Sequence, residues 1–208
     1  MQNGSVVFLG VDTDIYFFTQ SSQRKQNVII SIADIGYRGV FVKGLIDIIE
    51  SLPHIKEKIP DIELVIIGRK FKEFDFLYTL AKKLNVLDLV SFTGELNEKE
   101  KIQYLSQGTI YMQPTRQEAF GHAIVEALSC GIPVITSNCA YSAVYEIVDN
   151  CGIYVTPGDI NGIADAAVRL LKDNGIRNDL SIRGRKRVEK FFSLQKRKEV
   201  LKKIIENT

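Results

Sequence analysis

Residues 109–136 read Thr109-Ile110-Tyr111-Met112-Gln113-Pro114-Thr115-Arg116-Gln117-Glu118-Ala119-Phe120-Gly121-His122-Ala123-Ile124-Val125-Glu126-Ala127-Leu128-Ser129-Cys130-Gly131-Ile132-Pro133-Val134-Ile135-Thr136. The runs Thr109–Gln113 and Pro133–Thr136 are short and nearly all apolar, as strands buried on both faces of a parallel sheet are. A polar loop and a helical stretch, Gly121–Ser129, separate them. The same alternation continues on both sides. Further strands are expected at Val28–Ala33, Glu63–Ile67, Val90–Thr93 and Gly152–Val155. Between them Leu45, Ile48, Ile49 and Leu52 recur at three- and four-residue steps, and Leu77, Leu80, Ala81 and Leu84 form one face of Phe74–Leu84. Helices are also expected over Asn97–Gln107, Ser142–Val148 and Ile160–Leu171, with Asn97 as an N-cap and Glu98 and Glu100 in the first turn. The fold class is therefore α/β: a doubly wound, Rossmann-like parallel sheet of six strands with flanking helices. Polar helices from Asn174 onward, ending in Arg183–Phe192 and Gln195–Ile205, are expected to pack outside it. The implied organisation is a connector over residues 1–26, a Rossmann-like domain over 27–192 and a basic helix over 193–208.

Composition narrows the class. Of 208 residues, 45% are hydrophobic and 25% charged, which excludes disordered and collagen-like chains. No apolar run approaches the roughly 20 residues of a membrane span, and Met1-Gln2-Asn3-Gly4 has no basic cluster of a signal peptide. Three cysteines and two histidines without ligand-like spacing argue against a disulfide framework or a structural metal, and favour a reducing, cytoplasmic setting. Residues 169–208 carry 13 Lys+Arg against 5 Asp+Glu. Solvated helix faces are the first reading of that surplus, an anionic membrane surface the second and nucleic acid the last.

In doubly wound sheets ligands sit at the carboxyl ends of the strands, where the strand order reverses. The loop after Gln113 is the richest such end. A helix opening at Gly121 leaves the N–H groups of residues 120–123 unpaired, which makes an anion site suited to a diphosphate. Glu118 and Glu126, eight positions apart, would flank it, and carboxylates accept paired hydrogen bonds from vicinal sugar hydroxyls. The bland alternative makes Glu118 a capping charge and Glu126 a surface residue.

The run Glu118-Ala119-Phe120-Gly121 through Glu126-Ala127, followed by Ser129-Cys130-Gly131-Ile132-Pro133-Val134-Ile135, resembles the signature of the family 4 (group 1) retaining glycosyltransferases, which have the two-domain GT-B fold. Gly10-Val11-Asp12-Thr13-Asp14-Ile15-Tyr16-Phe17, Lys43-Gly44, Val90-Ser91-Phe92-Thr93-Gly94 and Gly152-Ile153-Tyr154-Val155-Thr156-Pro157-Gly158-Asp159 fall in register with other segments of that family. The resemblance spans residues 10–192. It implies that Glu126 binds the donor's ribose and that Glu118 faces the transferred sugar. Ala119, Phe120 and Gly121 would present N–H groups, with His122 lining the site. Gly94 to Leu96 would hold the base. Lys43 and Arg38, five positions apart, would neutralise the leaving diphosphate.

The same resemblance implies a nucleotide-diphosphate sugar as donor, no other cofactor, no metal, and transfer of a hexosyl group with retention. It also implies a partner: an N-terminal domain carrying the acceptor site, of which this chain would be the C-terminal complement, inactive alone. The basic C-terminal helices would face that domain or make peripheral contact with the membrane's inner face. A nucleotide-sugar epimerase of the same fold would need acid–base pairs that two histidines do not supply. A non-catalytic nucleotide-binding or interaction module is the other alternative. A dinucleotide oxidoreductase lacks its GxGxxG, and nucleic-acid binding lacks an aromatic platform.

Overall fold

The computed structural model describes residues 7–139 and 142–206. The expected alternation folds into a six-stranded, all-parallel sheet of β1 (Val28–Ile32), β2 (Glu63–Ile67), β3 (Val90–Gly94), β4 (Ile110–Gln113), β5 (Val134–Thr136) and β6 (Gly152–Tyr154). The order is β3-β2-β1-β4-β5-β6, so the winding reverses between β1 and β4. Val28–Ile32 pairs in register with Glu63–Ile67, and Ile29 and Ile30 pair with Ile110 and Tyr111.

Because side chains alternate along a strand, these apolar runs feed two cores at once. Ile29, Leu64, Ile66, Ile110, Met112 and Ile135 face α1 (Leu45–Lys58), α2 (Phe74–Lys83) and α6 (Ile160–Lys172). Ile30, Val65, Ile67, Tyr111 and Val134 face the other layer, with α3 (Glu98–Gln107), α4 (His122–Ser129) and α5 (Val144–Val148). α3 opens with the capping box its sequence announces: the Asn97 side chain accepts from the Glu100 N–H while Glu100 accepts from the Asn97 N–H.

Some boundaries move. α1 runs past Leu52 and through Pro53 to Lys58, because Ile55 and Ile59 stay on its buried face. α5 starts at Val144 rather than Ser142. Arg183 does not open a new helix. It lies within α7 (Asn174–Arg187), which Asp173 caps by accepting from the Ile176 N–H, and a π-type turn at Val188–Phe192 joins it to α8 (Leu194–Glu206).

The basic surplus of the tail is partly spent inside the fold. Arg185 donates to the carbonyls of Thr13, Tyr16 and Ser129, and Arg187 to those of Ile147 and Glu146. Both therefore pin neighbouring segments rather than form a free cationic face, while Arg197, Lys198, Lys202 and Lys203 on α8 are exposed. The connector lies against the domain: Val11 and Tyr16 are buried, and Val11 exchanges backbone hydrogen bonds with Phe192 and Leu194. Residues 1–6 of the connector, residues 140–141, and residues 207–208 of the C-terminal helix lie outside the described residues. Among those described, no helix is long and apolar enough to cross a membrane.

Candidate functional site

A cleft of about 1140 Å³ opens where β1 and β4 end side by side. One wall is the segment after β1. Its π-type turn Arg38–Val42 closes with the Lys43 N–H on the Arg38 carbonyl, and Gly44 follows at φ +82°. A Cβ at Gly44 would lie 2.5 Å from the Pro114 carbonyl oxygen, so only glycine lets this wall touch the loop after β4. The two loops are also stitched together: the Arg116 N–H donates to the Val42 carbonyl at 2.7 Å, and the Thr115 hydroxyl lies 3.1 Å from the same oxygen. Arg116 further clamps Asp47 of α1 through two bonds of 2.8 and 3.0 Å, and that carboxylate, 2% exposed, also accepts from the Gly158 N–H.

This stitching sets Lys43 against Glu118, with Nζ 3.4 Å from Oε2. Glu118 is 9% exposed, and its Oε2 also accepts from Gln113 Nε2 at 2.9 Å. The loop then turns through Gly121 (φ +86°) into α4, whose first turn has no side-chain cap. Among the described residues no backbone carbonyl takes the N–H of Gly121, His122 or Ala123, so the dipole-positive end of α4 is open to the cleft.

Glu126 lies one turn further into the same cleft. Its Oε1 accepts from Lys101 Nζ at 2.8 Å and from the Tyr16 hydroxyl at 3.1 Å, while Lys101 also lies over the Tyr16 ring. The Tyr16 oxygen is 3.2 Å from Glu98 as well. A phenol has one proton, so Tyr16 donates to one of the two carboxylates at a time. Burial, and then the Glu126 charge, push its ionisation far above the ordinary tyrosine range, which keeps it a donor.

Of the residues proposed from sequence, Arg38, Lys43, Glu118, Ala119, Phe120, Gly121, His122 and Glu126 line this one cleft. Gly94 and Leu96 do not. Gly94 ends β3, its carbonyl taken by the Gly68 N–H, and Leu96 packs on the second core beside a separate recess with Glu100 and Tyr104. The structure adds Tyr16, Lys101, Gln113 and Tyr111, to which sequence reasoning gave no role. Only Gln113 carries a signal of its own: a polar side chain at the end of an otherwise apolar strand.

Comparison with known proteins shows the family. The family model described as "Glycosyl transferases group 1" matches residues 12–187. The Staphylococcus aureus capsular polysaccharide biosynthesis glycosyltransferase CapM is 31% identical over 168 residues, covering 77% of this chain and 42% of CapM. The Bacillus anthracis N-acetyl-alpha-D-glucosaminyl L-malate synthase is 26% identical over 200 residues, 91% of this chain and 50% of the synthase. The chain thus spans about half the length of the curated relatives it matches. Among solved structures, Anabaena Alr3699/HepE in complex with UDP and glucose superposes with a TM-score of 0.85 at 17% identity, over 98% of this chain and 57% of that one, and shares the fold.

Proposed function

The chain belongs to the group 1 glycosyl transferases, and on that premise we propose that it supplies the donor-binding half of a glycosyl transfer from a nucleotide-diphosphate sugar. The observation that carries this reading is the convergence of Lys43, Arg38 and the uncapped start of α4 beside two glutamates in one cleft at the switch point. Breaking a sugar–phosphate bond sends its electron pair to the diphosphate and leaves positive charge on the anomeric carbon. Two cations and a helix start lie where the departing charge would collect, an arrangement that acts without a metal. Glu118 faces the sugar and steadies the positive centre. Glu126 takes the ribose hydroxyls.

In each glutamate the donors from the chain engage one oxygen, Oε2 of Glu118 and Oε1 of Glu126. The other oxygen has no donor among the described residues and is the one a bound hydroxyl would meet. The acceptor, held by an N-terminal domain, would attack from the face the diphosphate leaves, passing its proton to the departing oxygen and so retaining configuration. Transfer would then need that second domain. The exposed lysines of α8 support peripheral contact with an anionic membrane face.

Calorimetric titration of the chain with UDP-, GDP- and ADP-sugars tests the reading. Saturable binding of one nucleotide series, undiminished by EDTA, and no transfer to a saccharide acceptor by the chain alone are the expected results. The absence of heat with all three series would refute it.

A further inference from the structure

Behind Glu118 runs a buried chain of polar groups that no step above uses. Gln113, the last residue of β4, is 1% exposed, and Tyr111, two positions earlier on the same face, is fully buried. The Tyr111 hydroxyl donates to Gln113 Oε1 at 2.7 Å, and Gln113 Nε2 donates to Glu118 Oε2 at 2.9 Å. The polarity of this chain is fixed. Glu118, the ion-pair partner of Lys43, only accepts, so Gln113 turns its NH₂ toward it and leaves its carbonyl oxygen to take the Tyr111 proton. Burial keeps that proton in place by pushing the phenol's ionisation well above its ordinary range. An amide whose oxygen is taken by a phenol can turn only its NH₂ toward Glu118.

We infer that Gln113, oriented by Tyr111, is a positioning residue that holds Glu118 with one oxygen tethered and the other presented to the transferred sugar. The inference rests on the donor-site reading above and adds to it a cause for the orientation of Glu118. Lys43 cannot serve that purpose alone. It shares Oε2 at 3.4 Å, is about a third exposed, and in the reading above turns to the diphosphate when the donor binds. Gln113 is neutral, buried and has no competing ligand, so it holds Glu118 in both states.

The test compares a nucleotide sugar with its nucleoside diphosphate, for example UDP-glucose with UDP, GDP-mannose with GDP and ADP-glucose with ADP, by calorimetry on the full chain. Gln113→Met keeps the volume and removes the donor. It should weaken the nucleotide sugar by about tenfold and leave the nucleoside diphosphate within twofold, because only the sugar meets Glu118. Tyr111→Phe keeps the amide but frees it to turn. It should produce the same split at smaller size, and serves where Gln113→Met does not fold. A structural role alone would weaken both ligands together or neither, and either result in a folded variant overturns the inference while wild-type binding leaves the donor-site reading standing. If the wild-type chain binds no member of any pair, the donor-site reading falls and this inference with it.

Discussion

Glu126→Gln separates ligand binding from structure at the cleft. In the unliganded chain Glu126 Oε1 takes the Lys101 ammonium and the Tyr16 hydroxyl, and an amide oxygen can occupy the same place. Tyr16 also keeps Glu98 within reach at 3.2 Å. What is lost is the charge component of a partly exposed ion pair, about 1 kcal/mol or less, so the unliganded Tm should fall by no more than roughly 2–4 °C for a chain of this size. The ligand effect is larger. Hydrogen bonds to a charged group contribute about 1.5–3 kcal/mol, so replacing the carboxylate proposed to hold the ribose should weaken the nucleotide by roughly 10- to 150-fold. Wild type at a hundred times its Kd gains about 2.7 kcal/mol. At the same concentration the variant retains about 0.3–1.4 kcal/mol, and the ligand-induced rise in Tm drops by about half or more. A thermal-shift titration of both proteins with the nucleotide that wild type binds reads this directly. An undiminished ligand shift in the variant, or an unliganded Tm lowered by more than about 10 °C, would refute the assignment and make Glu126 a structural residue.

Two further outcomes follow from the geometry. Gly44→Ala must accept φ +82° and a Cβ 2.5 Å from the Pro114 carbonyl, whereas Gly94→Ala meets only φ +79° with nothing within 4 Å. Urea denaturation should show the second losing about 1–2 kcal/mol and the first at least twice that; equal losses would show that the two loops are not in contact. Asp34 is held below the usual carboxylate range chiefly by its hydrogen bond to Arg69. A carboxyl lowered in the folded state adds stability above its unfolded pKa of about 3.9 and loses it as the pH falls through the folded value. The Tm difference between wild type and Asp34→Asn should therefore be present at pH 6 and shrink below pH 4, and a difference constant across that range would contradict the pairing.

The fold was open to reading because each strand is a short β-branched run and the breaks between runs carry helix periodicity. Glu63–Ile67 begins and ends where its sequence says, and Asn97 with Glu100 makes the expected capping box. The cleft was legible as far as its residues share one local segment: Glu118, Gly121 and Glu126 follow one another across a single loop and helix start. Arg38 and Lys43 came to it only through the family resemblance, and the other contacts between distant elements were not legible. Tyr16 reaches Glu126 from 110 positions away and Lys101 from 25. Arg185 reads as part of a basic tail until the backbone of the connector is seen to pass beneath it. Tyr111 looked like an ordinary strand residue and Gln113 showed only a polar side chain at a strand end, since periodicity records which face a side chain takes and not what hydrogen bond waits there.

On the donor-site reading proposed above, the charges in the cleft rearrange on binding. Lys43 is paired with Glu118, Lys101 with Glu126 and Lys72 with Glu73, so Arg38 is the one lysine or arginine of the lining without an ion pair among the described residues. An arriving diphosphate therefore meets Arg38 and the bare start of α4 first, and gains the second cation only by drawing Lys43 off Glu118. A carboxylate tethered by the lysine alone would then be free to swing out of line with the sugar. Glu118 stays in line, because Gln113 still holds it from below at 2.9 Å. The neutral, buried amide thus keeps Glu118 aimed at the sugar while one lysine serves two anions in turn, the protein's own carboxylate in the empty cleft and the diphosphate in the filled one.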